Sequence, residues 1–357
     1  MKEILVNTAA KKYPLRIMKG LVNDDNAYSM IKGRKAVIVT DNNIAPLYGD
    51  KLLAKLRNLN IDSDIYIIPA GESSKSHEEL IKLYNHLSNL NITRADFIIA
   101  LGGGVTGDLA GFAASTYLRG INLIQVPTSL LAMVDSSIGG KVAVNLPAGK
   151  NLVGSFYQPE EVLIDPLLLD TLPDRHFADG MAEVVKYGCI RDKDLFSLLE
   201  SLKDREEVME NIDDIIFRCC SIKKDVVERD EKEKNLRMIL NFGHTFGHAI
   251  EKCFDYKTYT HGEAVAVGMV FISELSCRIG LCKRDASERL KKLLQKFNLP
   301  VVFPELKAGD VFNAVIKDKK ARTDHINLVL IEDIGSVRME AFNKDKIGGF
   351  INEMLGN

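Results

Sequence analysis

The chain has 357 residues, which is too long for one hydrophobic core and suits two domains. Hydrophobic residues make up 46% of it and charged residues 27%, with 47 Lys and Arg against 49 Asp and Glu. This balance excludes a disordered chain and a surface built for nucleic acid or another polyanion. An anionic ligand must therefore be held by a local cluster of cations.

The cysteines and the N-terminal segment bear on the location of the protein. The six cysteines show no Cys-x-x-Cys spacing and lie mostly in apolar helical patterns, where a free thiol behaves as a small hydrophobe. The first residues include Glu3 and no apolar run long enough for a signal peptide, and no stretch of about 18 uncharged apolar residues occurs. We therefore expect a cytoplasmic protein that has no membrane contact.

In the first half of the chain, apolar runs of strand length alternate with helical patterns. Residues 1–20 add a loose alternation that predicts a β-meander or edge strands. The strict alternation that follows predicts a doubly wound, Rossmann-like α/β domain, with a parallel sheet covered on both faces. We expect strands at 36–40, 64–69, 96–101, 121–126 and 162–165, and helices at 45–59, 77–90 and 104–118.

After about Leu172 the strand rhythm stops and helical periodicity takes over. The patterns at 212–227, 264–279 and 286–297 each predict a helix, whereas 326–331 fits either a strand or a buried helical turn. We therefore expect an α/β domain over 1–172 and a mostly α-helical domain over 173–357. The cleft between two such domains is the expected place for an active site.

A glycine-rich segment follows the third predicted strand. Gly102, Gly104 and Gly107 match G-x-G-x-x-G where the strand becomes a helix, and such a turn lets backbone N–H groups approach a phosphate. The next strand ends at Val126 without the acid that usually binds a ribose, so the segment departs from the ordinary dinucleotide fingerprint. A phosphate site and a purely structural tight turn both remain open from this motif alone.

Glu183 and three histidines of the second half have the character of metal ligands. His244 and His248 are four residues apart, so a helix presents both rings on one face, and His261 follows closely. Thr245 stands where the zinc-protease pattern H-E-x-x-H requires Glu, which disfavours a protease. A carboxylate with two imidazoles would leave positions on a metal open for substrate, but spacing does not choose between the histidines.

Several cations have neighbours that are unusual for solubilising lysines. Lys141 follows two glycines, Lys150 lies between Gly149 and Asn151, and Lys186 is one helical turn after Glu183. Phosphate or carboxylate groups of a ligand are the natural partners of such cations. The candidates are Arg119, Lys141, Lys150, Lys186, Lys223, Arg237, Lys319 and Lys320.

Taken together, these segments resemble the sugar-phosphate cyclase superfamily and, within it, the 3-dehydroquinate synthases. The matching motifs occur in the family's order and cover most of residues 35–330. They are 69–75 (PAGESSK), 102–108 (GGGVTGD), 117–120 (YLRG), 127–131 (PTSLL), 134–141 (VDSSIGGK), 149–151 (GKN), 177–186 (FADGMAEVVK), 240–248 (LNFGHTFGH) and 261–269 (HGEAVAVGM).

The resemblance implies a role for each candidate. The metal ligands are Glu183, His244 and His261, which leaves His248 for a catalytic role. The implied NAD contacts are Asp41, Glu72, Lys75, Gly103, Gly104, Val105, Gly107, Asp108, Thr128, Ser129, Lys141, Lys150, Leu168 and Thr171. The implied substrate contacts are Arg119, Asp135, Lys141, Asn151, Lys186, Lys223, Arg237, Asn241, His248, Lys319 and Lys320.

The resemblance also implies the reaction. The family uses NAD transiently, together with Zn²⁺ or Co²⁺, to convert 3-deoxy-D-arabino-heptulosonate 7-phosphate into 3-dehydroquinate and phosphate. It also implies a homodimer in which Arg119 reaches the phosphate across the interface. The sequence departs from the family's commonest form at Ser129, Met133, Val142 and Tyr157, none of which is a metal ligand or an ionic substrate contact.

Three alternatives are weighed against this interpretation. A related cyclase, such as a 2-deoxy-scyllo-inosose or valiolone-type synthase, is disfavoured by Arg237, Asn241 and His248. A net oxidoreductase resembling the metal-dependent glycerol dehydrogenases would need no phosphate cluster, yet the lysines here are many. An inactive NAD-binding scaffold predicts a missing ligand or lysine, and none is missing.

Overall fold

The computed structural model describes residues 1–233, 235–318 and 324–355. The chain forms two compact units, the first made of Met1–Pro173 with Cys219–Lys232 and the second of Asp174–Arg218 with Glu233–Asn357. The sequence analysis placed residues 219–232 in the second domain. They group with the first unit because their side chains pair there. Helical periodicity says which face of a helix is apolar but not which unit covers it.

The first unit contains, among its described residues, a seven-stranded sheet in the order β1-β2-β9-β6-β5-β3-β4 and a separate hairpin of β7 and β8. The edge strands β1 and β2 are antiparallel, and the neighbouring pairs from β2 onward are parallel. The strands are β1 (Lys2–Asn7), β2 (Lys12–Ile17), β3 (Lys35–Asp41), β4 (Asp62–Ile68), β5 (Phe97–Gly102), β6 (Asn122–Pro127), β7 (Lys141–Leu146), β8 (Gly149–Phe156) and β9 (Glu161–Ile164).

The helices of this unit connect the strands as the alternation predicts. β5 is buried along its whole length, as expected of a central parallel strand covered on both faces. The predicted α/β class and edge strands are confirmed, whereas the hairpin of β7 and β8 was not predicted. The helices are α1 (Asp50–Asn58), α2 (His77–Asn89) and α3 (Gly104–Thr116), with shorter helical turns at Leu21–Asn23, Asp25–Ile31, Ala45–Gly49, Glu72–Ser74, Tyr117–Arg119, Ala132–Ser136 and Pro166–Leu169.

The strand order reverses at β3, and this reversal indicates where a ligand would bind. β3 pairs with β4 on one side and with β5 on the other. In an open parallel sheet, ligands bind beyond the carboxyl ends of the strands at such a reversal. β3 ends at Asp41 and β5 ends at Gly102, which is where the sequence analysis expected a nucleotide.

The second unit is mostly helical. Residues 326–331, left open between strand and helix, form part of β10, which pairs with β11 in an antiparallel hairpin. None of the described helices is long and apolar enough to span a membrane. The elements are α4 (Asp174–Ile190), α5 (Lys193–Ser201), α6 (Arg205–Glu210), a 3-10 turn (Leu236–Asn241), α8 (His244–Cys253), α9 (His261–Arg278), α10 (Arg284–Lys296), α11 (Ala308–Asp318), β10 (His325–Asp333), β11 (Ser336–Asn343) and α12 (Lys344–Leu355). Helix α7 (Ile212–Arg229) begins in this unit, and its residues from Cys219 onward group with the first unit.

Candidate active site

Helix α4 buries an acid and a base in the second unit. Glu183 and Lys186 are each 1% exposed, and the Lys186 ammonium donates to Oε2 of Glu183 one turn away. Such a pair is tolerated because each charge offsets the cost of desolvating the other. The second carboxylate oxygen, Oε1, is buried and accepts no hydrogen bond within the described part of the chain.

Two helix N-termini bring histidines to that oxygen. α8 begins at His244 and α9 begins at His261, after a capping box formed by Thr260 and Glu263. Oε1 of Glu183 lies 3.5 Å from Nε2 of His244 and 3.7 Å from Nε2 of His261. The predicted glutamate and two of the three predicted histidines therefore converge on one point.

Close helix packing makes this convergence possible. A Cβ built on Gly268 of α9 would lie 2.0 Å from the carbonyl oxygen of Gly243, and one built on Gly243 would lie 2.4 Å from Met269 Cγ. Gly243 also has a φ of +80°, which L side chains rarely adopt. Glycines at these two positions let α8 approach α9 closely enough for His244 and His261 to face the same carboxylate.

The electrostatics of the two rings differ. Burial, followed by the positive charges of Lys186, His261 and His248, holds the pKa of His244 well below its usual value, so this ring is neutral near pH 7. Burial also opposes charge on His261, but the hydrogen bond to Glu251 and the charges of the nearby carboxylates outweigh it and raise its pKa to about 9. Backbone carbonyl Phe242 O lies 3.1 Å from Nδ1 of His244, which leaves Nε2 facing Glu183.

The donor set fits a divalent metal. One ligand atom each of Glu183, His244 and His261 lie within 4.8 Å of one another, and so do those of His248, Glu251 and His261. A carboxylate oxygen with two imidazole nitrogens is a common set for catalytic zinc, which needs an open position for substrate. The orphaned Oε1 of Glu183 belongs to the first group, which favours that group as the ligand set.

The other predicted residues of the second unit lie on elements next to these helices. Arg237 is 2% exposed on the 3-10 turn, and the Asn241 amide at the end of that turn donates to Glu233. The ring centroid of His248 lies 5.5 Å from that of His244 and 6.0 Å from that of His261. Lys319 and Lys320 lie outside the described residues.

In the first unit, the glycine-rich turn leads from β5 into α3. Gly103 is the N-cap residue of α3 and, as a glycine, makes no side-chain hydrogen bond to the N–H groups of the first turn. A Cβ on Gly104 would lie 3.1 Å from Ser136 Oγ, so a side chain there would crowd the turn. The open N-terminus of a helix with close backbone access is the arrangement that binds phosphate groups. Val105 and Gly107 belong to the same first turn.

A buried ion pair lies beside this turn. The Lys75 ammonium donates to Oδ2 of Asp108 on α3, and both residues were predicted nucleotide contacts. Burial raises the pKa of Asp108, whereas the adjacent Lys75 opposes that shift. The pair ties the 3-10 turn at Glu72–Ser74 to the first turns of α3.

The remaining predicted nucleotide contacts of this unit also lie at strand ends or turns. Asp41 accepts from the backbone N–H groups of Asn43 and Ile44 at the end of β3. The backbone N–H of Thr128 donates to the carbonyl oxygen of Gly102, and the hydroxyl of Ser129 accepts from the backbone N–H of Ala132. Tyr48 links Leu168 and Thr171, since its hydroxyl lies 2.7 Å from Thr171 Oγ1 and 3.4 Å from the carbonyl oxygen of Leu168.

The hairpin of β7 and β8 carries Lys141, Lys150 and Asn151, and its register shifts between Val144 and Leu146. Asn145, at that irregularity, hydrogen-bonds to Glu72, to Lys75 and to Asn151. The sequence analysis did not name Asn145. Its position in a short segment between two predicted motifs carried no signal, since its role depends on contacts with residues about 70 positions earlier.

Two further predicted substrate residues pair with each other. The Lys223 ammonium donates to Oδ1 of Asp135 at 2.8 Å, within the first unit. Arg119 is different, because it follows the C-terminal end of α3, a helix of 13 residues and so roughly 20 Å long. The structure therefore does not bring Arg119 to the glycine-rich turn at the other end of that helix within the described chain.

Comparisons with known proteins show which family this chain resembles. The chain matches the family model for the 3-dehydroquinate synthase N-terminal domain over residues 65–179 and that for the C-terminal domain over 180–321. It is 49% identical over 345 residues to the 3-dehydroquinate synthase of Clostridium beijerinckii, covering 96% of this chain and 99% of that protein.

Solved structures agree with the fold. A 2-deoxy-scyllo-inosose synthase solved with carbaglucose-6-phosphate, NAD⁺ and Co²⁺ matches with a TM-score of 0.89 at 28% identity, over 99% of this chain and 100% of that one. A 2-epi-5-epi-valiolone synthase from Streptomyces hygroscopicus, solved with NAD⁺ and Zn²⁺, matches with a TM-score of 0.86 at 27% identity, over 96% of each chain.

These findings define the chain first as a protein with the sugar-phosphate cyclase fold. The much higher identity to relatives of one named activity separates it from the other cyclases. The chain belongs to the 3-dehydroquinate synthase family. It is accordingly an enzyme, a carbon–oxygen lyase of the shikimate pathway. The net oxidoreductase and the inactive scaffold considered from the sequence are set aside as well.

Proposed function

We propose that the chain converts 3-deoxy-D-arabino-heptulosonate 7-phosphate into 3-dehydroquinate and phosphate at a site that uses NAD and a divalent metal. The observation that carries the proposal is the convergence of Glu183, His244 and His261, with the orphaned Oε1 of Glu183 at its centre. The relatives solved with NAD⁺ and with Co²⁺ or Zn²⁺ support both cofactors. Either metal suits two nitrogen donors and one oxygen donor.

The bound metal would supply Lewis acidity toward a substrate hydroxyl, and NAD would accept a hydride and later return it. The surroundings of His244 would hold its ring neutral, which is the protonation state that an imidazole ligand needs. The ammonium of Lys186 donates to Oε2 of Glu183, which would leave Oε1 of that carboxylate for the metal.

The proposed substrate residues divide by charge. Lys186 and Arg237 in the second unit, and Lys141 in the first, would bind the phosphate and carboxylate groups of the substrate. Asp135 with Lys223, together with Asn151 and Asn241, would orient the hydroxyl groups by hydrogen bonds. That residues of both units serve one site remains part of the proposal.

Proton transfer is assigned to His248. Its ring lies beside those of His244 and His261, so it can reach a hydroxyl of a substrate held at the metal. An imidazole is suited to move a proton to and from an alcohol oxygen near neutral pH. The proposed proton is that of the C5 hydroxyl of the substrate.

The position of Arg119 supports the proposal of a homodimer. Because it lies at the far end of α3 from the glycine-rich turn, we propose that it binds the substrate phosphate of a neighbouring subunit. Leu118 and Arg119 both adopt positive φ, at 50° and 66°, so the turn before Gly120 holds an uncommon backbone shape. The six cysteines are free thiols, which suits the proposed cytoplasmic location.

The test is a product assay. Purified protein is incubated with catalytic NAD, Zn²⁺ or Co²⁺ and the heptulosonate phosphate, and phosphate release and 3-dehydroquinate are followed. Stoichiometric phosphate and 3-dehydroquinate without net NADH is the expected result. Accumulating NADH, or no phosphate, would overturn the proposal.

A pair of variants tests the ligand assignment. We expect His261→Ala to lose metal on dialysis, whereas His248→Ala keeps the metal and turns over slowly. Metal content is measured in both proteins beside the wild type. Equal metal loss in the two variants would contradict the proposed division of roles.

A further inference from the structure

We propose that Asn145 is a positioning residue. It holds the turn at residues 72–75, which is proposed to bind the nucleotide, in a fixed position relative to the hairpin of β7 and β8, which carries proposed substrate contacts. The proposal rests on the function proposed above, because it concerns Glu72, Lys75 and Asn151 in their assigned roles. Asn145 itself lies among the substrate and cofactor residues without being one of them, and it is half-buried.

Three hydrogen bonds join Asn145 to those residues. Its Nδ2 donates to Oε1 of Glu72 at 2.7 Å, and its Oδ1 accepts from the backbone N–H of Asn151 at 2.8 Å. Its own backbone N–H donates to the carbonyl oxygen of Lys75 at 2.8 Å. All three distances lie in the range of well-formed hydrogen bonds.

The backbone of the hairpin explains why Asn145 can make these contacts. β7 and β8 pair regularly up to Val144 and Val153, and the next pair is Leu146 with Gly149. Asn145 has no partner in the register of the ladder, so its N–H turns to Lys75 instead. Irregularities of this kind re-aim a residue and recur beside active sites.

The three hydrogen bonds of Asn145 fix the conformations of Asn151, Lys75 and Glu72. Asn151 has a φ of +56°, an uncommon conformation for a residue other than glycine, and Asn145 holds its N–H. Lys75 forms the buried ion pair with Asp108 at the first turns of α3. Glu72 accepts the Asn145 amide through Oε1, and this hydrogen bond fixes the orientation of its carboxylate.

The two polar ends of the side chain can be separated by mutation. Asn145→Ala removes the donor to Glu72 and the acceptor for Asn151 together. Asn145→Asp keeps an acceptor for Asn151 but loses the donor and sets a second carboxylate against Glu72. We therefore expect Asn145→Ala to weaken NAD and substrate binding about tenfold each, and Asn145→Asp to weaken NAD alone.

The experiment measures NAD Kd by calorimetry without substrate, and KM for the heptulosonate phosphate in the full assay. Asn122→Ala is the matched control, since its amide also bonds to the backbone but at the start of β6, away from the strand ends. Thermal melting checks folding. A purely structural role would lower the melting temperature of Asn145→Ala and leave both binding constants within twofold of the wild type, which overturns the proposal.

The outcomes also separate this proposal from the function beneath it. If the wild type fails to release phosphate, the proposed function fails, whatever the variants do. If the wild type is active and binds NAD, but both Asn145 variants bind NAD and substrate as the wild type does, only the role of Asn145 fails.

Discussion

Oε2 of Glu251 lies 3.4 Å from Nδ1 of His261, while Nε2 of the same ring lies 3.7 Å from Oε1 of Glu183. Glu251 is 4% exposed and sits on α8, one turn after His248. A carboxylate that accepts from one imidazole nitrogen leaves the other nitrogen to a metal and fixes the ring orientation. Glu251 therefore aims His261 at Glu183.

Removing that carboxylate is expected to weaken metal binding. Loss of such an outer partner typically costs about 10–100-fold in metal affinity, so we predict a drop in that range for Glu251→Ala. Glu251→Gln keeps a neutral acceptor and is expected to fall between Glu251→Ala and the wild type. Affinity is measured by competition with a chromogenic chelator. Glu274→Ala, a half-exposed acid of α9, is the control, and equal affinity in all four proteins would contradict the prediction.

Gly268 tests the packing of α8 on α9. The added methyl of Gly268→Ala would meet the carbonyl of Gly243 at 2.0 Å, so α8 must shift and carry His244 with it. We expect a loss of about 1–3 kcal/mol in the free energy of unfolding, together with weaker metal binding.

Gly349→Ala is the matched control for this change. Gly349 also lies in a helix, α12, but a Cβ there meets nothing within 4 Å. This variant is expected to be stabilised by up to about 1 kcal/mol and to bind metal normally. Urea unfolding and chelator competition measure both effects, and a neutral result for Gly268→Ala would show that α8 and α9 can relax apart.

Asp96 is expected to make the free energy of unfolding depend on pH. Burial raises the pKa of this carboxyl, but hydrogen bonds from the backbone N–H groups of Lys35 and Thr93 and from the Thr93 hydroxyl outweigh it and lower the pKa. A lowered folded-state pKa stabilises the protein above the unfolded value of about 3.9, and this contribution is lost as pH falls through the folded-state pKa.

We therefore expect Asp96→Asn to cost about 2 kcal/mol at neutral pH, since hydrogen bonds to a charged group are worth roughly 1.5–3 kcal/mol. The gap between the variant and the wild type should close as the pH falls below the lowered pKa of Asp96. Asp62→Asn, an exposed acid 3.8 Å from the same Lys35, should be nearly neutral. Urea unfolding from pH 3 to 7 measures both, and a pH-independent gap would contradict the assignment.

Two thiols of the second unit lie close enough to form a disulfide when an oxidant is supplied. Cys277 near the end of α9 and Cys282 after it have sulfur atoms 2.8 Å apart. Burial, aided by the hydrogen bond and charge of Cys277, raises the pKa of Cys282 to about 12, so thiol exchange should accelerate as pH rises. We expect oxidised glutathione to link the pair, with release of two reduced glutathione molecules.

Peptide mapping without reductant measures that link. Cys253, also half-buried, is the internal control and should remain outside it. Cys277→Ser should abolish the cross-link and leave Cys282 free or as a mixed disulfide. Recovery of both Cys277 and Cys282 as free thiols after oxidation at alkaline pH would contradict the prediction.

Much of the fold could be predicted because it depends on local pattern. The alternation of apolar strands with helical periods placed β3 to β6 and α1 to α3, and an i, i+4 spacing placed His244 and His248 on one helix. These features depend on neighbours within a few residues, and side-chain periodicity reports them directly. The hairpin of β7 and β8 was missed because β8 is partly exposed along its length and the pairing of the two strands is irregular at Asn145.

The sequence by itself determined the α/β class, the family resemblance and the set of residues able to do chemistry. Only the tertiary structure decided which of them meet. Gly243 before α8 and Gly268 in α9 let His244 and His261 reach Glu183, Asn145 connects Glu72 with Asn151, and residues 219–232 pack with the first unit. These outcomes depend on contacts between residues far apart in the chain, where side-chain direction follows from packing and not from spacing.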